Sequence, residues 1–135
     1  VSFPYADRTE LAVLPSTKRI LIADDAQSIR ELLRIILERG GYEVMEASDG
    51  EEAVHQAPHF APHLVILDLQ MPKLDGYSAA IALRKIPSLA KIPIIALAAF
   101  LPEVSPEQVA QAGFNQYLVK PISPTRLRDC ITHLL

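Results

Sequence analysis

Cysteine occurs once in the 135 residues, at Cys130. A single thiol excludes an internal disulfide framework and any zinc site built on several thiolates, and it fits a reducing compartment. A basic excess is also missing. Thirteen Lys and Arg stand against sixteen Asp and Glu, a net charge of -3, which argues against a nucleic-acid clamp. No apolar run approaches the roughly 18 residues that a membrane span needs, and no basic-then-apolar leader opens the chain. Internal repeats and low-complexity blocks are absent too. What is present is apolar residue, 50% of the total. A chain of this size buries roughly two-thirds of its unfolded surface, enough for one core without staples. A soluble, cytoplasmic, single domain is expected. Because the first residue is Val1 and not Met, a piece of a longer protein is expected as well.

Residues 1–17 hold no sustained period and carry Pro4 and Pro15, so they read as a linker or tail, with a short helix around Leu11 to Leu14. Periodicity begins at Lys18. The run RILIA, Arg19 to Ala23, is short, apolar and ends in two acids, as a strand buried on both faces would be. Ile29, Leu32, Leu33, Ile36 and Leu37 then fall on one helical face, and Gly40-Gly41 stops that helix. EVMEA (Glu43 to Ala47) reads as a strand, Gly50 to Gln56 as a short helix, and LVILD (Leu64 to Asp68) as a second buried strand. Tyr77 to Ile86 reads as a helix and PIIAL (Pro93 to Leu97) as a strand. Ser105, with Pro106 and Gln108, opens a helix running to Gly113, made short and irregular by Pro102 and Pro106. QYLV, Gln116 to Val119, and a last helix capped by Ser123-Pro124 complete the alternation. Strands alternating with helices specify a parallel sheet covered on both sides.

In such doubly wound sheets, sites form at the carboxyl ends of the strands. Those ends are Asp24-Asp25, Asp68, Ala98 and Lys120. Two like charges 4 Å apart repel by about 4 kcal/mol at an effective dielectric near 20. Three carboxylates at one edge therefore either share protons or hold a hard cation. A donor set of oxygens without His or Cys selects magnesium, manganese or calcium over zinc. Magnesium-assisted phosphoryl transfer follows, with one aspartate as nucleophile and a lysine balancing charge.

The segments LIADDAQS, LVILDLQMPKLDGYS, PIIALAA and YLVKPIS resemble the receiver domain of bacterial two-component response regulators, over about residues 18–135. The D-x-x-M-P-x-x-D-G pattern from Asp68 to Gly76 is the most specific part. The resemblance implies a flavodoxin-like, five-stranded parallel sheet in the order 2-1-3-4-5. It implies that Asp68 accepts a phosphoryl group from a histidine kinase or a histidine-bearing phosphotransfer protein. Mg2+ (or Mn2+) would be held by Asp25, Asp68 and the main-chain carbonyl of Gln70, with Asp24 acting through a water. Lys120 would pair with phosphoryl oxygens, Lys120-Pro121 would be cis, and Tyr117 would change rotamer on activation. Output would pass through the fourth helix, fifth strand and fifth helix. The protein would then be a switch with self-directed phosphoryl chemistry, not an enzyme acting on a diffusible substrate. Self-association is left open.

One position departs from that pattern. Ala98 stands where the family has Thr or Ser, so the hydroxyl that donates to the phosphoryl group is missing. This favours a rival reading, a pseudo-receiver that binds proteins independently of phosphate. A second rival, an aspartate-nucleophile phosphohydrolase, needs a second acid two residues after the nucleophile, where Gln70 stands. Gln70 and the bulky Phe100 would shape the path of hydrolysing water, and Phe100 is expected to lengthen the phosphoryl lifetime. His55, His59 and His63 recur every fourth residue, but Pro58 and Pro62 are expected to break the helix that would stack them. Cys130 reads as core and His133 as solvent-facing.

Overall fold

The computed structural model describes residues 17–100 and 104–135. The linker expected over 1–17, apart from Thr17, and its short helix lie outside the described residues, as does Pro102. The elements are β1 (Arg19–Ala23), α1 (Gln27–Arg39), β2 (Glu43–Ala47), α2 (Gly50–Phe60), β3 (Leu64–Asp68), α3 (Gly76–Arg84), a 3-10 turn (Pro87–Leu89), β4 (Ile94–Ala98), α4 (Pro106–Ala112), β5 (Gln116–Val119) and α5 (Pro124–Leu134). All strand pairs are parallel, and the sheet order is β2-β1-β3-β4-β5. This is the parallel, doubly covered sheet that the alternation implies, in the flavodoxin-like order that the resemblance implies.

Period-two alternation sorts the strand side chains into two cores. Leu21, Ala23, Val65, Leu67, Ile94, Ala96 and Ala98 face one side, with Ala53 and Ala57 of α2 and Ala79 and Ala80 of α3 packed on them. Ile20, Ile22, Leu64, Ile66, Ile95 and Leu97 face the other, beneath Leu33, Ile36 and Leu37 of α1 and Leu127 and Ile131 of α5. Alanines let α2 and α3 lie close to the sheet. All five residues of β3 and all five of β4 are buried, as runs with no polar alternation require in a covered sheet.

Three local expectations differ from the structure. Leu32 is 41% exposed although it belongs to the apolar stripe of α1. The buried arc is centred on Leu33, Ile36 and Leu37, and Leu32 lies about 100° round from Leu33, past the edge of the sheet contact. The third helix stops at Arg84 and not at Ile86, because Pro87 disfavours helical geometry in the residue before it and Ile86 is extended (φ -85°, ψ 118°).

The largest difference is in α2, which runs through Pro58 to Phe60 instead of ending at Gln56. Asp49 caps its start by accepting from the Glu52 amide (2.7 Å). Ala53 and Ala57 are fully buried beneath it. Its last carbonyls are satisfied from outside, Arg19 Nε donating to Phe60 O (3.0 Å) and to Ala61 O (2.9 Å). Packing and these end contacts outweigh the one hydrogen bond that proline removes.

Candidate functional site

The carboxyl ends of β1, β3 and β5 open into a cleft of about 800 Å³ lined by Asp25, Asp68, Gln70, Tyr77, Ala99 and Lys120, together with Leu69, Met71, Pro72 and Asp75. Five of these residues, Leu69, Gln70, Met71, Pro72 and Asp75, come from the loop between β3 and α3. That loop turns back because Gly76 has no side chain: a Cβ there would collide with the main chain at Asp68 and Leu69. Asp75 then caps α3, accepting from the Ser78 amide at 2.8 Å.

Asp24, Asp25 and Asp68 each place a carboxylate oxygen such that all three lie within 4.8 Å of one another. Asp24 is fully buried and Asp68 nearly so, while Asp25 is exposed. Asp24 Oδ1 accepts from the Ala26 amide (2.9 Å) and Asp68 Oδ1 from the Gln70 amide (3.2 Å). Lys120 Nζ lies 2.8 Å from Asp24 Oδ2 and 3.3 Å from Asp68 Oδ2, so one ammonium serves two carboxylates. The Lys120 amide donates to Ala98 O (2.7 Å), which holds the lysine at the cleft. The Lys120-Pro121 peptide is cis.

Burial, then the charge of Asp24, push the Asp68 carboxyl up to about 6, against the pull of Lys120 and the Gln70 amide. Burial works against the Lys120 ammonium, but Asp24 and Asp68 outweigh it and hold its pKa above the ordinary value. The acid edge is thus charged beyond what one lysine balances. Asp24 Oδ2 is buried and faces the Lys120 ammonium at 2.8 Å, which also serves Asp68. Three converging carboxylates that share one ammonium fit a hard cation approached by oxygen donors.

The residues singled out by sequence are mostly together. Asp25, Asp68, Gln70 and Lys120 line the cleft, and the fully buried Asp24 has a carboxylate oxygen within 4.8 Å of those of Asp25 and Asp68. Ala98 is fully buried at the end of β4, with the neighbouring Ala99 lining the cleft. Tyr117 is half-buried and packs against the alanine-rich core. Phe100 is 53% exposed and is not among the side chains lining the cleft. Cys130 is half-buried on α5, packed against the isoleucine- and leucine-rich core.

Sequence reasoning missed two contributors. Arg30 Nη1 donates to Asp24 O (2.8 Å) while its Nε bonds Glu46 of β2 (3.1 Å), fixing the turn that presents Asp24 and Asp25. Lys73, at φ 68°, reaches Asp49 at 3.6 Å and ties the β3–α3 loop to α2. Neither has a signal in local periodicity, since both depend on how two elements meet.

The family profile described as response regulator receiver domain matches residues 20–132. The chain belongs to that family. Among curated relatives it is 45% identical over 120 residues to a probable transcriptional regulator, ycf27, of Cyanophora paradoxa, covering 87% of this chain and 48% of that one. It is 39% identical over 118 residues to the alkaline phosphatase synthesis transcriptional regulatory protein PhoP of Bacillus subtilis, with the same coverage of 87% and 48%. The chain therefore spans about half the length of these relatives. Among solved structures, the chemotaxis protein CheY4 of Vibrio cholerae superposes with a TM-score of 0.83 at 32% identity, over 89% of this chain and 100% of that one. The receiver domain of a sensor histidine kinase of Pseudomonas aeruginosa, described with magnesium coordinated in its active-site cleft, gives 0.81 at 31% identity over 88% and 98%.

Proposed function

We propose that this receiver domain takes a phosphoryl group from a phosphohistidine onto Asp68 and thereby switches a partner or a linked effector. The observation that carries the reading is the convergence of Asp24, Asp25, Asp68 and Lys120 on one open cleft. With a pKa near 6, Asp68 is mostly ionised at neutral pH and nucleophilic. One carboxylate oxygen attacks phosphorus, the phosphorus–nitrogen bond to the donor imidazole breaks, and an acyl phosphate forms. Lys120, 3.3 Å from Asp68 Oδ2, meets the incoming phosphoryl oxygens with its ammonium. Asp25, Asp68 and the Gln70 carbonyl would hold Mg2+ or Mn2+, with Asp24 through a water, and the cation supplies charge neutralisation for the transferred group.

The donor is a histidine kinase or a histidine phosphotransfer protein, and the output surface is α4, β5 and α5. The only turnover is self-directed: acquisition and hydrolysis of the acyl phosphate. No helix among the described residues is long and apolar enough to cross a membrane, and a cytoplasmic place suits phosphate exchange with such donors. Ala98 supplies no hydroxyl for the phosphoryl group, so the signal to α4 and β5 runs through Lys120 and the main chain at Ala99. Gln70, on the cleft wall, and Phe100, next in the chain to the cleft-lining Ala99, tune access of hydrolysing water.

The test is incubation with acetyl phosphate and Mg2+, followed by intact-protein mass spectrometry. A gain of one phosphoryl group that is absent from Asp68→Asn and abolished by a chelator supports the reading. No gain, with no Mg2+ binding, supports a phosphate-independent binding module instead.

A further inference from the structure

The continuation of α2 through Pro58 has a chemical result. His55 and His59, four residues apart, share one exposed face of an unbroken helix. Residues at that spacing are neighbours, with Cβ atoms about 5–6 Å apart, and the two ring centroids lie 6.0 Å apart. His59 Nδ1 lies 3.4 Å from the His55 carbonyl. A histidine that donates from Nδ1 to a main-chain oxygen keeps Nε2 as a lone-pair donor pointing outward, the arrangement found when imidazole binds a metal. His63 takes no part, because its Nδ1 accepts from the Arg19 amide (2.9 Å) beyond the helix end.

We propose that His55 and His59 form a binding site for a first-row transition-metal ion that prefers imidazole: Cu2+ foremost, then Ni2+ and Zn2+. The site is chemically distinct from the acidic cleft. Two imidazoles select these ions, whereas the oxygen set at Asp24, Asp25 and Asp68 selects hard cations. Zinc–nitrogen bonds of about 2.0–2.1 Å would bring the two Nε2 atoms to about 3 Å from each other. Both rings are exposed, and rotation of the two side chains from their 6.0 Å centroid spacing would bring the Nε2 atoms to that separation. The bound ion would also act as a clip. It links residues 55 and 59 across the turn in which Pro58 offers no amide to Val54, and so braces the weakest part of α2. Two protein ligands leave the other positions to water, so binding is weaker than at a four-ligand structural site.

The experiment uses the 135-residue chain without a polyhistidine tag, in excess Mg2+ so that the acidic cleft is saturated. Cu2+ is titrated by calorimetry and by NMR on wild type, His55→Ala, His59→Ala and the double variant. The expected result is one ion per chain, with His55 and His59 signals broadened before those of His63 and His133. Each single substitution weakens binding by about tenfold or more. A rise in melting temperature with Cu2+ is expected in wild type and not in the double variant. Absence of binding, equal affinity in the double variant, or broadening centred on Asp24, Asp25 and Asp68 would each overturn the assignment.

Discussion

The two ends of the sheet bury charge in opposite ways. At the amino-terminal end, Arg84 of α3 donates to Gly113 O, Leu89 O, Ala90 O, Ile92 O and Asn115 Oδ1 at 2.6–3.2 Å. Asn115 Oδ1 also accepts from the Ile94 amide (2.8 Å), so one side chain ties together α3, the 3-10 turn and the starts of β4 and β5. No carboxylate takes part, yet every direction of the guanidinium fork is used. Burial lowers the Arg84 pKa from its ordinary value, and the ring of carbonyls keeps the cation in place. At the carboxyl end the balance is reversed: three carboxylates share one lysine. A satisfied network holds a fold together, whereas an unsatisfied one is poised to receive a ligand.

Removing the satisfied end should do the most damage. Arg84→Met leaves four main-chain carbonyls without this donor, and Asn115 Oδ1 with the Ile94 amide alone, and is expected to cost about 3 kcal/mol in urea denaturation. Arg84→Lys, which has three donors and no fork, should recover only part of it. A loss within the ordinary surface range would show that the staple is ornamental.

At the other end the sign inverts. Asp68→Asn should stabilise the metal-free protein at pH 7, by about 2 kcal/mol. The unfolded carboxyl titrates near its ordinary 3.8 and the folded one near 6. Between those values the folded state holds a proton that the unfolded state has released, so this contribution is complete below the window and is lost as pH rises through it. Thermal melts from pH 4 to 7 without divalent ions should show that slope in wild type and lack it in Asp68→Asn.

A smaller effect bears on what the acid edge signals. Ala98→Thr places a hydroxyl at the end of β4, one residue beyond the Asp68–Leu97 pair, and a hydrogen bond to a charged group is worth about 1.5 kcal/mol or more. The active-like population at full phosphorylation should rise. Identical NMR shift responses in both proteins would contradict this.

The smallest effect sits at the amino-terminal end of the sheet, where His63 precedes β3. His63 accepts from Arg19 through Nδ1, and burial, with Arg19 and Lys18, lowers its pKa below the ordinary value. Its contribution to stability is complete above about 6.5 and falls as pH drops below that. His63→Asn keeps an acceptor and should flatten that acid-side loss in the same melts, in a background carrying Asp68→Asn.

Legibility in the sequence follows the same division. Strand runs such as LVILD and PIIAL carry their burial in their composition, and the acids that end strands are placed by topology alone, so the acidic edge was readable. Arg84 was not: in the last turn of a helix it looks like any solvated basic residue, and only the meeting of four elements makes it central. Pro58 misled for a related reason. The local rule against proline in helices is sound, but Arg19, nearly forty residues earlier, satisfies the last carbonyls of α2. Leu32 shows the limit of periodicity, which gives the direction of a helical face but not the width of the surface it meets.

The most direct measurement locates the phosphate. Protein treated with acetyl phosphate and Mg2+ is reduced with borohydride, which converts an aspartyl phosphate to homoserine, then digested and sequenced by mass spectrometry. The account predicts homoserine at position 68 and nowhere else. Homoserine at position 24 or 25, or none at all despite bound Mg2+, would contradict it.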